Sequence, residues 1–173
     1  MSRKFIVYIA VSADGYIARS DGSVDFLDRP GPAGNYGMNK FLRSIDSIIW
    51  GRKTWDQAVM MGSPNPFGPH VRNYVFSRSP GTSSEFVNEP PADFARRERS
   101  EPGQNFWIMG GAGLITSFLE AKAIDEFIIH TVPLIVGEGI RLVGTAPSSI
   151  PLTLLSARKF SDGVIRSHYR VEK

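Results

Sequence analysis

Apolar runs rich in Val, Ile and Phe recur along this chain, separated by polar or Gly/Pro punctuation, and they alternate with stretches whose apolar residues return at helical spacing. That alternation is the pattern of an α/β domain. Seven strands are expected: Lys4 to Val11, Ser47 to Trp50, Asn73 to Phe76, Asn105 to Met109, Glu126 to Pro133, Leu152 to Lys159 and Val164 to Val171. Three helices are expected. Gly37 to Ile45 carries Met38, Phe41, Leu42 and Ile45 on one face, Thr54 to Met61 follows, and Ala112 to Ala121 has Leu114, Ile115, Phe118 and Leu119 as its buried stripe. Around Ala92 to Glu98 the helical pattern is thinner, and the run Arg96-Arg97-Glu98-Arg99 reads as a solvated face rather than a binding patch.

Two segments, Ser20 to Tyr36 and Gly62 to Arg72, are long and rich in Gly and Pro. Compact domains keep such loops as lids or ligand walls. The tail from Leu152 to Val171 reads as two strands joined at Ser161-Asp162-Gly163, with Asp-Gly supplying the turn. That hairpin would close the sheet or meet a second subunit.

A length of 173 residues fits one domain, taken as 1–173, and 42% hydrophobic with 21% charged residues is a globular balance. No apolar run has the length a bilayer requires. Met1-Ser2-Arg3-Lys4 leads straight into Phe5-Ile6-Val7-Tyr8, which reads as the first strand of a cytoplasmic protein rather than a signal peptide. With no cysteine in the chain, disulfides, thiolate nucleophiles and Cys-based metal sites are excluded. The formal charge of +3 is mild and scattered, which argues against nucleic acid and suits a small anionic ligand.

Candidate chemistry concentrates at strand ends. Asn105 to Met109 runs into Gly110-Gly111-Ala112-Gly113 and then an amphipathic helix. Glycines that open a helix leave backbone N–H groups bare at the positive end of its dipole, so a phosphate can sit there; a tight turn with glycines for steric reasons is the equal alternative. Gly111 to Thr116 lacks the third glycine of a Rossmann fingerprint. Gly51-Arg52-Lys53-Thr54 groups a guanidinium, an ammonium and a hydroxyl at another helix start, which suits an anion or simply a Thr cap beside two exposed cations. Ser77 and Arg78 add a hydroxyl and a guanidinium after a third strand, and three such sites together suit a ligand with more than one phosphate. His70, His130 and His168 are separate, so no metal is expected, and His130 reads as a satisfied strand residue. Asp25 and Asp28 lie in the first long loop as solvated carboxylates or a buried proton donor.

These features, in this order, resemble the dihydrofolate reductase-like superfamily, and within it the C-terminal reductase domain of the bifunctional riboflavin biosynthesis deaminase-reductase. The resemblance rests on Ala10-Val11-Ser12-Ala13-Asp14-Gly15-Tyr16-Ile17-Ala18, Gly51-Arg52-Lys53-Thr54-Trp55, Phe76-Ser77-Arg78, Trp107 to Leu114, and Pro133 to Gly139. It implies a three-layer αβα fold with a mixed, mostly parallel central sheet and NADPH across the strand ends. Arg52 and Thr54, with Gly51 and Lys53, would hold the 2′-phosphate and pyrophosphate. Ser77 and Arg78 would line the adenosine end, and Gly110, Gly111, Ala112, Gly113 and Leu114 would approach the pyrophosphate and nicotinamide, with a cis peptide often joining the paired glycines. Ala10, Val11 and Ile17 would flank the nicotinamide.

The function implied is NADPH-dependent hydride transfer to a planar pteridine- or pyrimidine-type substrate, most like 5-amino-6-(5-phosphoribosylamino)uracil reductase. Dihydrofolate reductase and a non-catalytic nucleotide-binding sensory module are the alternatives. The substrate side departs from both namesakes. Tyr36 to Lys40 carries no carboxylate where folate reductases place an acid, and Tyr8 and Met109 stand where riboflavin-pathway members show a lysine and a glutamate. Asp25 is named as proton donor, with bound water as the alternative, and Phe26, Phe41, Leu42 and Trp50 as the substrate wall. A homodimer through the last strands is expected.

Overall fold

The strand β1 (Phe5–Ser12) is buried on both of its faces, as a strand must be when helices cover both sides of its sheet. In the computed structural model, which describes residues 2–32, 35–62, 67–68, 70–79, 86–145 and 149–172, it lies inside an eight-stranded sheet. The remaining elements are β2 (Tyr16–Ala18), α1 (Met38–Leu42), β3 (Ile45–Gly51), α2 (Arg52–Met60), β4 (Arg72–Phe76), β5 (Phe86–Val87), α3 (Pro91–Ser100), β6 (Asn105–Gly110), α4 (Ala112–Glu120), β7 (Glu126–Val132), β8 (Ile140–Arg141), β9 (Leu152–Lys159) and β10 (Ile165–Val171). The strand order is β5-β4-β3-β6-β1-β7-β10-β9. The first six are mutually parallel and β10 runs antiparallel to β7 and β9, so the sheet is mixed and mostly parallel.

The period of two divides the core. Phe5, Val7, Ile49, Phe106 and Ile108 face Phe94 of α3 and Ile115 and Phe118 of α4. Ile6, Tyr8, Ile48, Trp50 and Trp107 face Phe41 of α1 and Trp55 of α2. Two helices on each face make the three-layer αβα architecture of the dihydrofolate reductase-like fold. Phe5, Phe94, Phe106 and Phe118 are fully enclosed, each side chain contributing roughly 1.5–3 kcal/mol by burial.

Three expectations need correction. The helix expected over Gly37 to Ile45 shrinks to α1: Asn35, Tyr36 and Gly37 all have positive φ and form a 3-10 turn before it, while Ile45 belongs to β3. The thin pattern around Ala92 to Glu98 is a full helix, opened by Pro91 in its first turn, where a missing N–H costs nothing. Its charged run is not simply a solvated face. Glu98 is buried and pairs with Arg3 and Arg97, and Arg99 bonds the Asp125 carboxylate and the Ala123 carbonyl. The strands β2, β5 and β8 were not expected. In the segment Gly62 to Arg72, residues 63–66 and 69 lie outside the described residues.

Parallel strands bring the carboxyl ends of β3, β4, β6, β1 and β7 to one edge, where α2 and α4 begin. From β3 the chain moves outward to β4, whereas from β6 it crosses β1 to reach β7. The order therefore reverses at β3, β6 and β1, and open α/β sheets bind ligands at such a reversal.

Candidate functional site

Two helix starts meet at this edge. Gly51 caps α2 and Gly111 caps α4, and neither helix has a side-chain cap, so their first N–H groups face outward from glycine. A Cβ on Gly51 would stand 3.1 Å from the Gly111 nitrogen and 3.2 Å from the Gly110 carbonyl oxygen, and one on Gly111 would stand 3.5 Å from Thr54 Oγ1. A side chain at Gly51 would crowd this approach, whereas one at Gly111 would make an ordinary contact. The Gly110–Gly111 peptide is cis. Nothing lies within 4 Å of the Cβ position of Gly113, so the first turn of α4 opens to solvent.

Cations and a platform flank the cradle. Arg52 leaves the first turn of α2, places its guanidinium 5.0 Å from the Phe86 ring centroid and bonds Asp56 through Nε at 2.9 Å. The Ser77 N–H donates to the Val87 carbonyl at 3.1 Å, which sets the end of β4 beside β5. Arg78 and Lys53 are exposed. The structure thus brings Gly51, Arg52, Lys53, Thr54, Ser77, Arg78 and Gly110 to Leu114 to one side of one sheet edge. A dinucleotide fits these residues: bare N–H groups for a pyrophosphate, the cations Arg52, Lys53 and Arg78 for a further phosphate, and an aromatic ring beside Arg52.

Beyond Gly110 the edge opens into a cavity of about 400 Å³. From the sheet it is lined by Tyr8 and Ala10 of β1, Trp107 and Met109 of β6, and His130 and Val132 of β7. Leu27, Arg29, Asn35 and Tyr36 from the first Gly/Pro-rich segment, together with Met38 of α1 and Phe67 from the second segment, wall it opposite. Met109 precedes Gly110, so cradle and cavity share an edge.

The polar groups of the cavity are few. Burial pushes the Tyr8 phenol up to about 12, partly offset by Arg166, so it stays neutral, and its hydroxyl points to the Tyr36 carbonyl at 3.4 Å. His130 is 4% exposed, and burial lowers its imidazole to about 4, with backbone bonding to Tyr36 and Ile9 opposing and Arg166 reinforcing the shift. His130 Nε2 has no partner among the described residues, which corrects the expectation of a satisfied strand residue. The Tyr36 hydroxyl donates to Asp162 at 2.5 Å, and Arg29 donates to the Asp162 carbonyl oxygen at 2.8 Å, fastening the wall to the β9–β10 turn.

Asp14 explains two of the sequence motifs. Its carboxylate accepts the Ser12 hydroxyl at 2.6 Å and the N–H groups of Val136 and Gly137 at 3.1 and 2.8 Å, tying the β1–β2 turn to the loop after β7. The Ser12 bond, with the two backbone donors, holds Asp14 down to about 2.

Several residues named from sequence lie elsewhere. Asp25 is exposed and paired with Arg19 at 2.5 Å, an ion pair that holds its carboxyl below the usual range, and it does not line the cavity. Phe26 is buried beside it, while its neighbour Leu27 reaches the cavity. Phe41 lies behind Tyr8, with the rings stacked at 4.5 Å, and Leu42 packs in the same core. Trp50 donates from Nε1 to Asn73 Oδ1 at 2.8 Å and meets Trp55 edge-on, beneath α2. Ala10 faces the cavity, whereas Val11 turns to the other face of β1, where it is buried, and Ile17 sits half-buried in β2. Tyr8, Tyr36, Trp107 and His130 were missed as wall residues. Alternation along β1, β6 and β7 places Tyr8, Trp107 and His130 on the face of Ala10, and that signal was available.

Residues 98–166 match the family model of the RibD C-terminal domain. The chain is 38% identical to the uncharacterised Bacillus subtilis (strain 168) protein YwjB over 98% of each chain. Its structure superposes with a TM-score of 0.87 and 25% identity on a Shewanella sp. PV-4 protein provisionally assigned to riboflavin biosynthesis, covering 100% of both. It is also similar, at a TM-score of 0.69, 14% identity and 100% of both chains, to Enterococcus faecalis dihydrofolate reductase complexed with NADP(H).

Proposed function

Because this chain belongs to the RibD C-terminal domain family of the dihydrofolate reductase-like superfamily, we propose that it is an NADPH-dependent reductase of a planar pyrimidine- or pteridine-type ring. The observation that carries the reading is the meeting of the α2 and α4 starts at Gly51 and Gly111, two residues along the chain from Met109 in a cavity walled by aromatic rings. When bound, NADPH supplies the hydride. Gly51, Thr54 and Gly110 to Gly113 would hold its pyrophosphate, and Arg52 and Arg78 would supply the charge for its 2′-phosphate. Ala10 and Met109 bound the nicotinamide position, and Tyr8, Tyr36, Phe67 and Trp107 enclose the substrate ring in a dry, oriented site.

No carboxylate lines the described cavity, which sets it apart from a folate reductase that orients its pterin on an acid. With Asp25 paired at the surface and Tyr8 and His130 both neutral near pH 7, water is the proton source in this reading. The test is a titration of the protein's Trp fluorescence with NADPH and NADH, for wild type and Arg52→Ala. Tighter binding of NADPH, reduced to that of NADH by the substitution, is expected; equal binding of both nucleotides by the wild type sinks the phosphate assignment. NADPH oxidation screened against reducible pyrimidine and pteridine rings separates turnover from mere nucleotide sensing.

A second copy of this chain is the proposed partner. The edge strand β9 exposes Leu152, Leu154 and Leu155, next to Ile165 of β10, and an open apolar edge of this kind demands a cover. Light scattering reading a particle of 19.1 kDa would remove the dimer.

A further inference from the structure

His130 and Arg166 stand directly opposite each other on the antiparallel strands β7 and β10. Such partners project from the same face with Cβ atoms roughly 4.5–5.5 Å apart. Among the described residues, both His130 Nε2 and Arg166 Nε are buried polar atoms without a hydrogen-bond partner. Leaving even one such atom unpaired is unfavourable, and His130 lines the cavity beside its strand partner Arg166.

Their hydrogen-bonding character is complementary. His130 presents Nε2 as a buried ring nitrogen, and burial keeps the imidazole neutral. A neutral imidazole has one N–H and one lone pair, so with its proton on Nδ1 the ring offers Nε2 as an acceptor, whereas Arg166 Nε–H can only donate. An anion suits Arg166 but not the lone pair beside it. A cyclic amide, with an N–H next to a C=O, satisfies both atoms at once. Tyr36 lies edge-on to His130 at 5.7 Å between ring centroids, and a Cβ on Gly37 would stand 3.1 Å from Arg166 Nη1, so the Tyr36–Gly37 segment roofs the pair. Tyr8 packs 4.6 Å from the imidazole on the cavity side.

We propose that His130 Nε2 and Arg166 Nε form an acceptor–donor pair that reads the cyclic-amide edge of the substrate ring and sets its orientation between the sheet and the Tyr36 segment. This rests on the reductase reading for what lies against the ring, and it adds the residues that select the ring. His130 and Arg166 act here as specificity-determining residues, and no proton transfer is asked of either.

The test compares uracil, which carries the amide edge, with 1,3-dimethyluracil, which has lost both N–H groups. Each is titrated by protein-observed NMR with and without NADP+. Wild type is expected to favour uracil about tenfold, the worth of one hydrogen bond in affinity. His130→Phe abolishes the preference, Arg166→Met weakens both probes alike, and both variants leave NADP+ binding as it was; His130→Gln, whose amide oxygen can accept, retains most of the preference. Equal binding of the two probes by wild type, binding of neither, or an undiminished preference in His130→Phe overturns the proposal. So does competition by inorganic phosphate that depends on Arg166 alone, which would mark an anion subsite. Failure of wild type to bind NADP+ counts against the reductase reading, while the nucleotide-free titrations still decide the pair. Should His130→Phe not fold, His130→Gln and Arg166→Met carry the decision.

Discussion

Gly51 and Gly111 lie in van der Waals contact across the ends of two neighbouring parallel strands, so that a single methyl group on Gly51 would press on the backbone of Gly111 from 3.1 Å. Each glycine also caps a helix, and the contact therefore fixes the spacing between two sets of outward N–H groups.

Gly51→Ala tests that spacing. The φ of −75° at Gly51 is ordinary for alanine, so any penalty comes from the contact and not from the backbone conformation. Overpacking of this kind costs about 1–3 kcal/mol. A lower thermal midpoint with NADPH affinity reduced at least as much as by Arg52→Ala is expected from calorimetry and fluorescence titration. Unchanged affinity would show that the cradle tolerates a side chain and does not hold phosphate.

Asn73→Ala separates core from site. It leaves the buried Trp50 Nε1–H unpaired, a loss of about 1–3 kcal/mol in unfolding free energy. Nucleotide affinity should stay at the wild-type value, since Trp50 packs beneath α2 rather than in the cavity. Denaturant unfolding and the fluorescence titration, run on one preparation, distinguish the two effects.

Asp25→Ala should alter neither turnover nor thermal midpoint by a measurable amount. The carboxylate is exposed and its partner Arg19 is partly solvated, and pairs of this kind contribute little. A steep loss of NADPH oxidation in this variant would return Asp25 to the proton-donor role and imply that the 3-10 turn Asp25–Leu27 swings inward during turnover.

Protonation of His130 predicts a pH dependence of stability. Its folded-state value, about 4, lies below the ordinary 6.5, so the unfolded chain binds the proton more readily. The contribution is fully present above pH 6.5 and is lost as pH falls from there towards 4, by roughly 3 kcal/mol in all. Facing the ring are Tyr8 and Tyr36, both neutral in this range, and the cation Arg166, so among the described residues no other group facing the ring titrates in that window. Urea unfolding at a series of pH values should show this slope in wild type and a shallower one in His130→Phe. Identical slopes would mean that the imidazole is not held neutral.

Sequence patterning carried the architecture where the physics is local. The apolar runs of Phe5 to Ser12 and Asn105 to Gly110, the apolar stripe of Ala112 to Glu120 and the glycines at 51, 110 and 111 each depend on residues within one or two turns of the chain, and the corresponding elements stand where that pattern puts them. Pairings between distant segments are not written in any window. The strand β2 exists because residues 140–141 lie beside it, and Glu98 is buried because Arg3, 95 residues away, meets it.

The site divides in the same way. Chain chemistry alone determined the donors of the cradle, because a glycine before a helix exposes N–H groups whatever packs elsewhere. Only the tertiary structure decided that Asp25 is spent on Arg19, that Trp50 and Phe41 are core, and that His130 Nε2 and Arg166 Nε, on paired residues, have no hydrogen-bond partner among the described residues. A buried polar atom is satisfied or orphaned by groups that folding brings from far along the chain, and the side chain's own neighbours in sequence do not record which.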